Sequence, residues 1–348
     1  MSIVNKITPP KPKKILKILR KFKCLRKDNY YWLKNRENTD VINHLKEENN
    51  YYDKMTSHTN EFQKKLFDEI KGKIKEDDES VPYFFNGYWY ISRYEKNKSY
   101  PIYLRKKKTL SAKEEILFDC NLLSKDYPFF NLSNFCISPN NKFVAFSIDT
   151  KSRRLYTIKI KNLENGEILN KSFSNCSGAM AWANDNSTLF YVKRELKTLR
   201  PHKVFKCDIR SKTSNEKLVF FEKDTTFYTN ISKSKSGTFL IICSYSTLTT
   251  EFRFLNSDFP NKKFIVFSKR KRGLEYTISH YDNHFYIITN KDDCYNYKLM
   301  KTSIHNTDIK YWTNVIDHRE EILLESIDIF KNYLVITERI NGLIKIKI

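Results

Sequence analysis

The sequence predicts a mainly β protein, in which a helical extension over residues 1–80 precedes a β-propeller over residues 81–348. Three observations support this fold class. Apolar residues recur at helical spacing between positions 39 and 75, they alternate with polar residues after position 81, and a strand pattern repeats at intervals near 50 residues. Periods of 3.6 and of two residues are the signatures of helices and of strands.

The extension contains two predicted helices. Thr39 and Asp40 offer side-chain oxygens to the first free amide groups of one helix, and Val41 and Leu45 begin its apolar face. A second helix is expected from Thr59. Amphipathic helices of this length cannot bury their apolar faces alone, so we expect both to lie against something larger.

The repeat consists of a short apolar strand that follows a turn rich in Asn, Asp, Gly or Pro. The strand centres are Trp89, Ala145, Phe190, Leu240, Tyr286 and Val335, and each is followed by a second strand. A period of this length with several short strands is typical of propeller blades, which cover their apolar faces by stacking on neighbours. About six blades are expected. The last is expected to be incomplete, because the sequence stops within an alternating run at residues 344–348.

The formal net charge of +23 makes nucleic-acid binding one interpretation. The basic residues are spread along the whole chain, however, with dense runs only at residues 11–27 and 106–108. A binding footprint should cluster on one face, so a solvated basic surface is favoured and nucleic acid is the least favoured partner.

Cysteine usage and hydropathy bear on the compartment. The seven cysteines are odd in number and form no CxxC pair, which favours reduced thiols. No run approaches the ~20 apolar residues of a membrane helix, and the first 24 residues lack a signal-peptide core. We therefore expect a cytoplasmic protein without a membrane partner. His280 and His284 alone have ligand-like spacing, but they flank a turn signal, and neither a metal nor a cofactor site is predicted.

Short motifs along nearly the whole chain, in the same order, resemble oligopeptidase B of the prolyl oligopeptidase family of serine peptidases. They occur at residues 29–33 (NYYWL), 69–82 (EIKGKIKEDDESVP), 87–90 (GYWY), 100–103 (YPIY), 144–149 (VAFSID), 152–156 (SRRLY), 181–186 (AWANDN), 189–192 (LFYV), 198–201 (TLRP) and 221–224 (FEKD). The resemblance implies a seven-bladed propeller that covers an α/β-hydrolase domain, admits only short peptides and accompanies cleavage after Lys or Arg.

The same resemblance places the catalytic Ser, Asp and His in the hydrolase domain, after the propeller. No G-x-S-x-G motif occurs, since none of the seven glycines has another within five residues. No catalytic residue is therefore predicted here. Arg153 and Arg154 match paired arginines in a loop of the family's second blade, where a guanidinium can bridge to a carboxylate of the hydrolase domain. The alternative is two solvated surface arginines.

Three functions remain open from the sequence. The first is the substrate-filtering propeller of a peptidase whose hydrolase domain is separately encoded or lost, with short basic peptides as substrates and no activity alone. The second is a stand-alone propeller scaffold, which requires a ring closed by six blades. The third is nucleic-acid binding. An open propeller edge also predicts self-association of the isolated chain.

Overall fold

The computed structural model describes residues 8–211 and 215–348, so residues 1–7 of the predicted extension lie outside the described part. The chain divides into two compact units, residues 1–78 and 79–348. Each is described by itself. None of the helices in the two described stretches has the length and apolar character needed to cross a membrane.

The first unit begins with a basic hairpin and continues with two helices. The hairpin pairs β1 (Lys17–Lys21) with β2 (Cys24–Asp28), and the helices are α1 (Thr39–Thr56) and α2 (Asn60–Gly72). Both predicted helices are confirmed, but the cap of α1 differs from the prediction. The side chain of Asn38 accepts the N–H of Asp40, because Asn38 has the extended backbone that a capping residue needs.

The second unit is a series of antiparallel sheets, which are its blades. Blade 1 contains β3 (Asp78–Glu79), β4 (Tyr83–Phe85), β5 (Tyr88–Tyr94), β6 (Ile102–Lys107) and β7 (Glu114–Asp119), followed by the short helix α3 (Cys120–Leu123). Blades 2 and 3 form one continuous sheet of β8 (Asn131–Ile137), β9 (Phe143–Asp149), β10 (Tyr156–Asn162), β11 (Ile168–Trp182), β12 (Thr188–Arg194), β13 (Pro201–Asp208) and β14 (Lys217–Phe221).

The remaining blades are separate sheets. Blade 4 contains β15 (Tyr228–Lys233), β16 (Phe239–Tyr245), β17 (Thr250–Asn256) and β18 (Ile265–Val266), and blade 5 contains β19 (Tyr276–Tyr281), β20 (His284–Thr289), β21 (Lys298–Ser303) and β22 (Thr313–Ile316). Blade 6 contains three strands, β23 (Ile322–Ile329), β24 (Leu334–Ile340) and β25 (Leu343–Lys347). Each of the six predicted strand centres falls in a strand of a different blade. These strands are β5, β9, β12, β16, β20 and β24.

The core lies between blades, as the stacking argument requires. Each junction between successive blades holds a buried apolar cluster, such as Phe173 with Tyr191 between blades 2 and 3 and Phe239 with Phe285 between blades 4 and 5. Aromatic rings fill these junctions, and the rings of Phe173 and Tyr191 stack at 4.5 Å. The blades are therefore held together by side-chain packing along their length.

The turns between the first and second strands of successive blades meet at one end of the unit, called here the turn end. Asn86 Nδ2 donates to the carbonyl of Pro139 at 2.7 Å, and Asn186 Oδ1 accepts the N–H of Asn140 at 2.7 Å. Further along, Tyr281 donates to the carbonyl of Lys331 at 3.0 Å. Asn86 and Asn186 have positive φ, which Asn tolerates better than most residues. The turn residues that reveal the repeat thus also link the blades.

Candidate functional site

A concave site of the second unit is a cavity of about 940 Å³, called here the channel. The inner strands of blades 1 to 4 line it, together with residues of the turn end. Its neutral polar wall includes Ser133, Asn134, Ser177, Asn230 and Ser232. Alternation along each inner strand turns these side chains away from the apolar junctions between blades.

A close approach of two inner strands shapes this wall. Gly178 in β11 has φ +94°, and a Cβ at this position would lie 3.0 Å from Ser133 Oγ and 3.4 Å from Ser147 Oγ. Asn134 Nδ2 donates to the carbonyl of Gly178 at 3.2 Å. Glycine is required here both by the backbone conformation and by the contact with β8.

Lys233 and Lys235 are the only charged residues among the side chains that line the channel in the described part of the chain. Lys233 is half-buried, and its Nζ donates to Asn184 Oδ1. Burial lowers the pKa of Lys233, because it disfavours the charged form. Lys235 is more exposed, and its Nζ lies 2.9 Å from Asp328 Oδ1 and 3.6 Å from the centre of the Phe330 ring.

The predicted contact residues Arg153 and Arg154 lie away from the channel wall. They belong to the connection between β9 and β10, at the opposite end of blade 2 from its turn, which we call the loop end. The buried carboxylate of Asp149 accepts the N–H groups of both residues, at 2.9 and 2.7 Å, and the N–H of Lys151 at 2.9 Å. These three hydrogen bonds fix the backbone of the loop.

Both arginine side chains of this loop are exposed. Within residues 8–211 and 215–348 neither guanidinium has a hydrogen bond or an ion pair. Burial lowers the pKa of the nearby Arg194, and the positive charge of Arg154 lowers it further. Arg153 and Arg154 are therefore held in place by the backbone while their side chains stay available to a carboxylate.

A buried ionic cluster lies near the loop end between blades 3, 4 and 5. Arg270 Nη2 lies 2.5 Å from Glu222 and 3.5 Å from Glu251, and its guanidinium stacks on the ring of Phe227 at 3.6 Å. Burial opposes ionisation of Glu222, but the hydrogen bonds from Arg270 and from the N–H of Asp224 outweigh it, so the pKa of Glu222 is lowered. The cluster connects three blades through charged side chains.

Arg200 is a buried arginine to which the sequence alone assigns no role. Its Nη1 donates to the carbonyls of Glu222, Asp224 and Phe227 at 3.4, 3.0 and 2.8 Å. These carbonyls belong to the crossover from blade 3 to blade 4. The Arg-Pro sequence alone carries no signal for partners 22 to 27 residues later, so only the fold reveals that Arg200 holds the crossover in place.

Ser236 and His280 form a hydrogen bond that links blades 4 and 5. Ser236 Oγ lies 2.7 Å from His280 Nδ1. The His280 ring packs edge-on against Phe239 and Phe285, and burial lowers its pKa. Among the described residues, His280 Nε2 is buried without a hydrogen-bond partner, so the ring nitrogen opposite Ser236 lacks the orienting carboxylate of a catalytic triad. His280 pairs with Phe285, and His284 pairs with Tyr281 at the next position along the two strands. The two histidine side chains therefore lie on opposite faces of their hairpin.

Four buried or half-buried cysteines are structural rather than nucleophilic. Burial raises the pKa of the Cys120, Cys176 and Cys243 thiols to about 12. It also raises the pKa of Cys136, which lines the channel. A thiol in such surroundings stays protonated at neutral pH, whereas the thiolate is the reactive form.

Comparisons with known proteins agree with this architecture. The family model described as prolyl oligopeptidase, N-terminal beta-propeller domain, matches residues 9–348. The chain is 32% identical to dipeptidyl aminopeptidase BI of Pseudoxanthomonas mexicana, over 93% of the chain and 47% of that relative. It is 31% identical to protease 2 of Moraxella lacunata, over 92% of the chain and 47% of that relative.

The structural comparison gives the same extent. Oligopeptidase B from Leishmania major superposes with a TM-score of 0.91 at 27% identity, over 98% of this chain and 50% of that chain. The chain thus spans about half the length of the curated relatives and of the solved structure that it matches.

Proposed function

We propose a substrate-filtering role in peptide hydrolysis, since the chain belongs to the prolyl oligopeptidase family as its N-terminal β-propeller domain. In this proposal the chain is the propeller part of an oligopeptidase-B-like serine endopeptidase that cleaves short peptides after Lys or Arg. An α/β-hydrolase domain supplies the catalytic triad, and residues 1–348 without such a domain are inactive. The observation that carries the proposal is the family match along residues 9–348, at half the length of the relatives.

The filter works by size. A cavity of about 940 Å³ has room for a short peptide, whereas a folded domain exceeds it many times. Packed junctions between the blades support a rigid wall, because interiors filled to native density resist deformation. Folded proteins are excluded from the reacting groups, and flexible peptides reach them.

The loop-end arginines are the proposed contact with the hydrolase domain. From a loop that Asp149 holds, Arg153 and Arg154 present guanidinium groups that have no partner among the described residues. A planar guanidinium can engage a carboxylate through two hydrogen bonds, and such a contact gains most when the charged groups are already oriented. We assign both arginines to a carboxylate on the hydrolase domain.

The test is a complementation assay with a fluorogenic Arg peptide. The chain alone should show no hydrolysis, and adding the hydrolase half of an oligopeptidase B should restore it. The double variant R153Q/R154Q should require about tenfold more of the hydrolase half, equal to roughly 1.4 kcal/mol. K151Q in the same loop is the matched control and should behave as wild type. Hydrolysis by the chain alone, or an unaffected double variant, contradicts the proposal.

Two further parts of the proposal concern partners and compartment. The edge of β25 exposes Leu343, Ile344 and Ile346, and an exposed apolar edge strand pairs readily with another copy. We therefore propose self-association of the isolated chain through β25, with a monodisperse monomer in light scattering as the contrary result. The seven cysteines are unpaired, which fits a reducing cytoplasm.

The stand-alone scaffold gains less support. It requires a complete sixth blade, and blade 6 has three strands where blades 4 and 5 each have four. Nucleic-acid binding rests on net charge alone. A binding constant that falls steeply with salt, beyond that of a generic basic protein, is the result that revives it.

A further inference from the structure

The channel carries a chemical preference that its size does not explain. The side chains that line it include no carboxylate within the described residues, and they include two lysines at the turn end. The remaining polar groups are hydroxyls and amides. A wall of neutral donors with a positive charge at one end favours anionic ligands, since opposite charges attract most strongly where water is partly excluded.

Lys233 has unused capacity to bind an anion. Its ammonium carries three donors, and one bonds to the amide oxygen of Asn184. Within the described stretches no carboxylate lies within ion-pair distance of its Nζ, although Asp258 and Asp185 act on it at longer range. The half-buried cation is therefore compensated only by distant charges. An incoming carboxylate would complete its hydrogen bonding.

The channel wall offers further hydrogen-bond donors. The hydroxyls of Ser133 and Ser232 and the amide NH₂ of Asn230 line the same cavity, and none of these donors has a protein partner in the described part of the molecule. Lys235 adds positive charge at the rim, partly offset by Asp328. Carboxylates accept several hydrogen bonds at once, so an anion held by Lys233 can gain further hydrogen bonds from donors of the channel wall.

From this arrangement we infer that the turn end of the channel binds the carboxylate of a short peptide, either its free C-terminus or an acidic side chain, through Lys233 with support from Lys235. The inference rests on the proposed function only in that short peptides enter the channel. It is compatible with basic residues at the cleaved bond, because a peptide with an internal Lys or Arg still ends in a carboxylate.

Calorimetric titration of the full chain with acetyl-Gly-Ser-Gly-Ser-Gly as its free acid and as its C-terminal amide tests the inference. The free acid should bind about tenfold more tightly than the amide. Its affinity should fall as salt rises from 50 to 300 mM, because the Debye length shortens about 2.4-fold over this range. Acetyl-Gly-Glu-Gly-Ser-Gly amide distinguishes the two carboxylate sources. If this peptide binds as tightly as the free acid, the site accepts a carboxylate from either source. If it binds only as weakly as the simple amide, the site is specific for the C-terminal carboxylate.

The variants locate the site. K233Q should weaken binding of the free acid about tenfold, and K235Q should weaken it less, because Asp328 already engages Lys235. K223Q removes an equal charge from an exposed position outside the channel and should change nothing. K233R keeps the charge and should retain the preference for the free acid.

A second variant and a set of contrary outcomes complete the test. If K233Q does not fold, S232D places a carboxylate on the exposed channel face of β15 and should abolish the preference for the free acid. Equal binding of acid and amide, equal effects of K223Q and K233Q, or no binding of any peptide overturns the inference. The calorimetric test measures peptide binding by this chain alone. Failure of the complementation assay would therefore refute the proposed function and leave the binding result valid.

Discussion

Removal of the Arg270 guanidinium is the sharpest test of how the blades are held together. R270M leaves Glu222, whose side chain is 6% exposed, without a cation among the described residues, whereas Glu251 keeps its ion pair with Arg253. Removing one partner of a buried ion pair typically costs about 3–5 kcal/mol, because the remaining charge stays desolvated. The stacking contact with Phe227 is partly kept by the Met side chain. We therefore expect the free energy of unfolding to fall by about 3 kcal/mol at pH 7.

The pH dependence gives this prediction its sign. The folded protein holds the pKa of Glu222 below the ordinary value of 4.5, so its contribution to stability is present above that pH and is lost as the pH falls through the folded pKa. In R270M, burial without the cation favours the protonated acid. The stability difference between wild type and R270M should therefore shrink as the pH is lowered from 7 towards 4.5.

Urea denaturation followed by tryptophan fluorescence measures both effects. R272M is the matched control, because Arg272 is exposed in the same loop and makes no ion pair within the described residues. Substitutions at such positions usually stay within about 0.5 kcal/mol of wild type. Equal costs for R270M and R272M, or a cost of R270M that is the same at pH 7 and pH 4.5, would refute the assignment of this cluster as a stabilising ionic connection.

Three further outcomes follow from single contacts. R200M should lower the free energy of unfolding by about 2–3 kcal/mol in urea denaturation, because it leaves the buried carbonyls of the blade 3 to blade 4 crossover without a charged donor, and an unchanged midpoint contradicts this. G178A should cost at least about 1 kcal/mol, from positive φ and the contact with β8, whereas G72A at the end of α2 meets nothing within 4 Å and should cost no stability. At pH 8, iodoacetamide should modify exposed Cys24 much faster than Cys243, whose pKa is raised to about 12, and equal rates in mass spectrometry contradict the burial.

The repeat was predictable because its signals are local. A turn that needs positive φ selects Asn or Gly, and the strand after it alternates over five to seven residues, so both features appear within a short window. Asn86 and Asn186 mark such turns, and Trp89 and Phe190 mark the strands that follow them. The sequence therefore located all six second strands without knowledge of how the blades pack.

The continuous sheet of blades 2 and 3 was not predictable in the same way. β11 runs for fifteen residues, pairing with β10 through its first part and with β12 through its second part. Its register shifts near Cys176, where the strand leaves one blade and enters the next. A residue-by-residue pattern cannot tell one long bent strand from two short strands, since alternation continues through both.

The channel shows most clearly which functional information is missing from the one-dimensional pattern. In β15 the exposed Asn230 and Ser232 alternate with the buried Thr229 and Ile231. This pattern indicates an ordinary strand with one solvent-exposed face. Lys233 continues the buried set of this alternation, where an apolar residue is expected. Its charge is tolerated because Asn184, almost fifty residues earlier, supplies an oxygen from the neighbouring blade. A lysine at the end of a strand has many harmless explanations, and only the arrangement of four blades around one cavity makes it a candidate anion site.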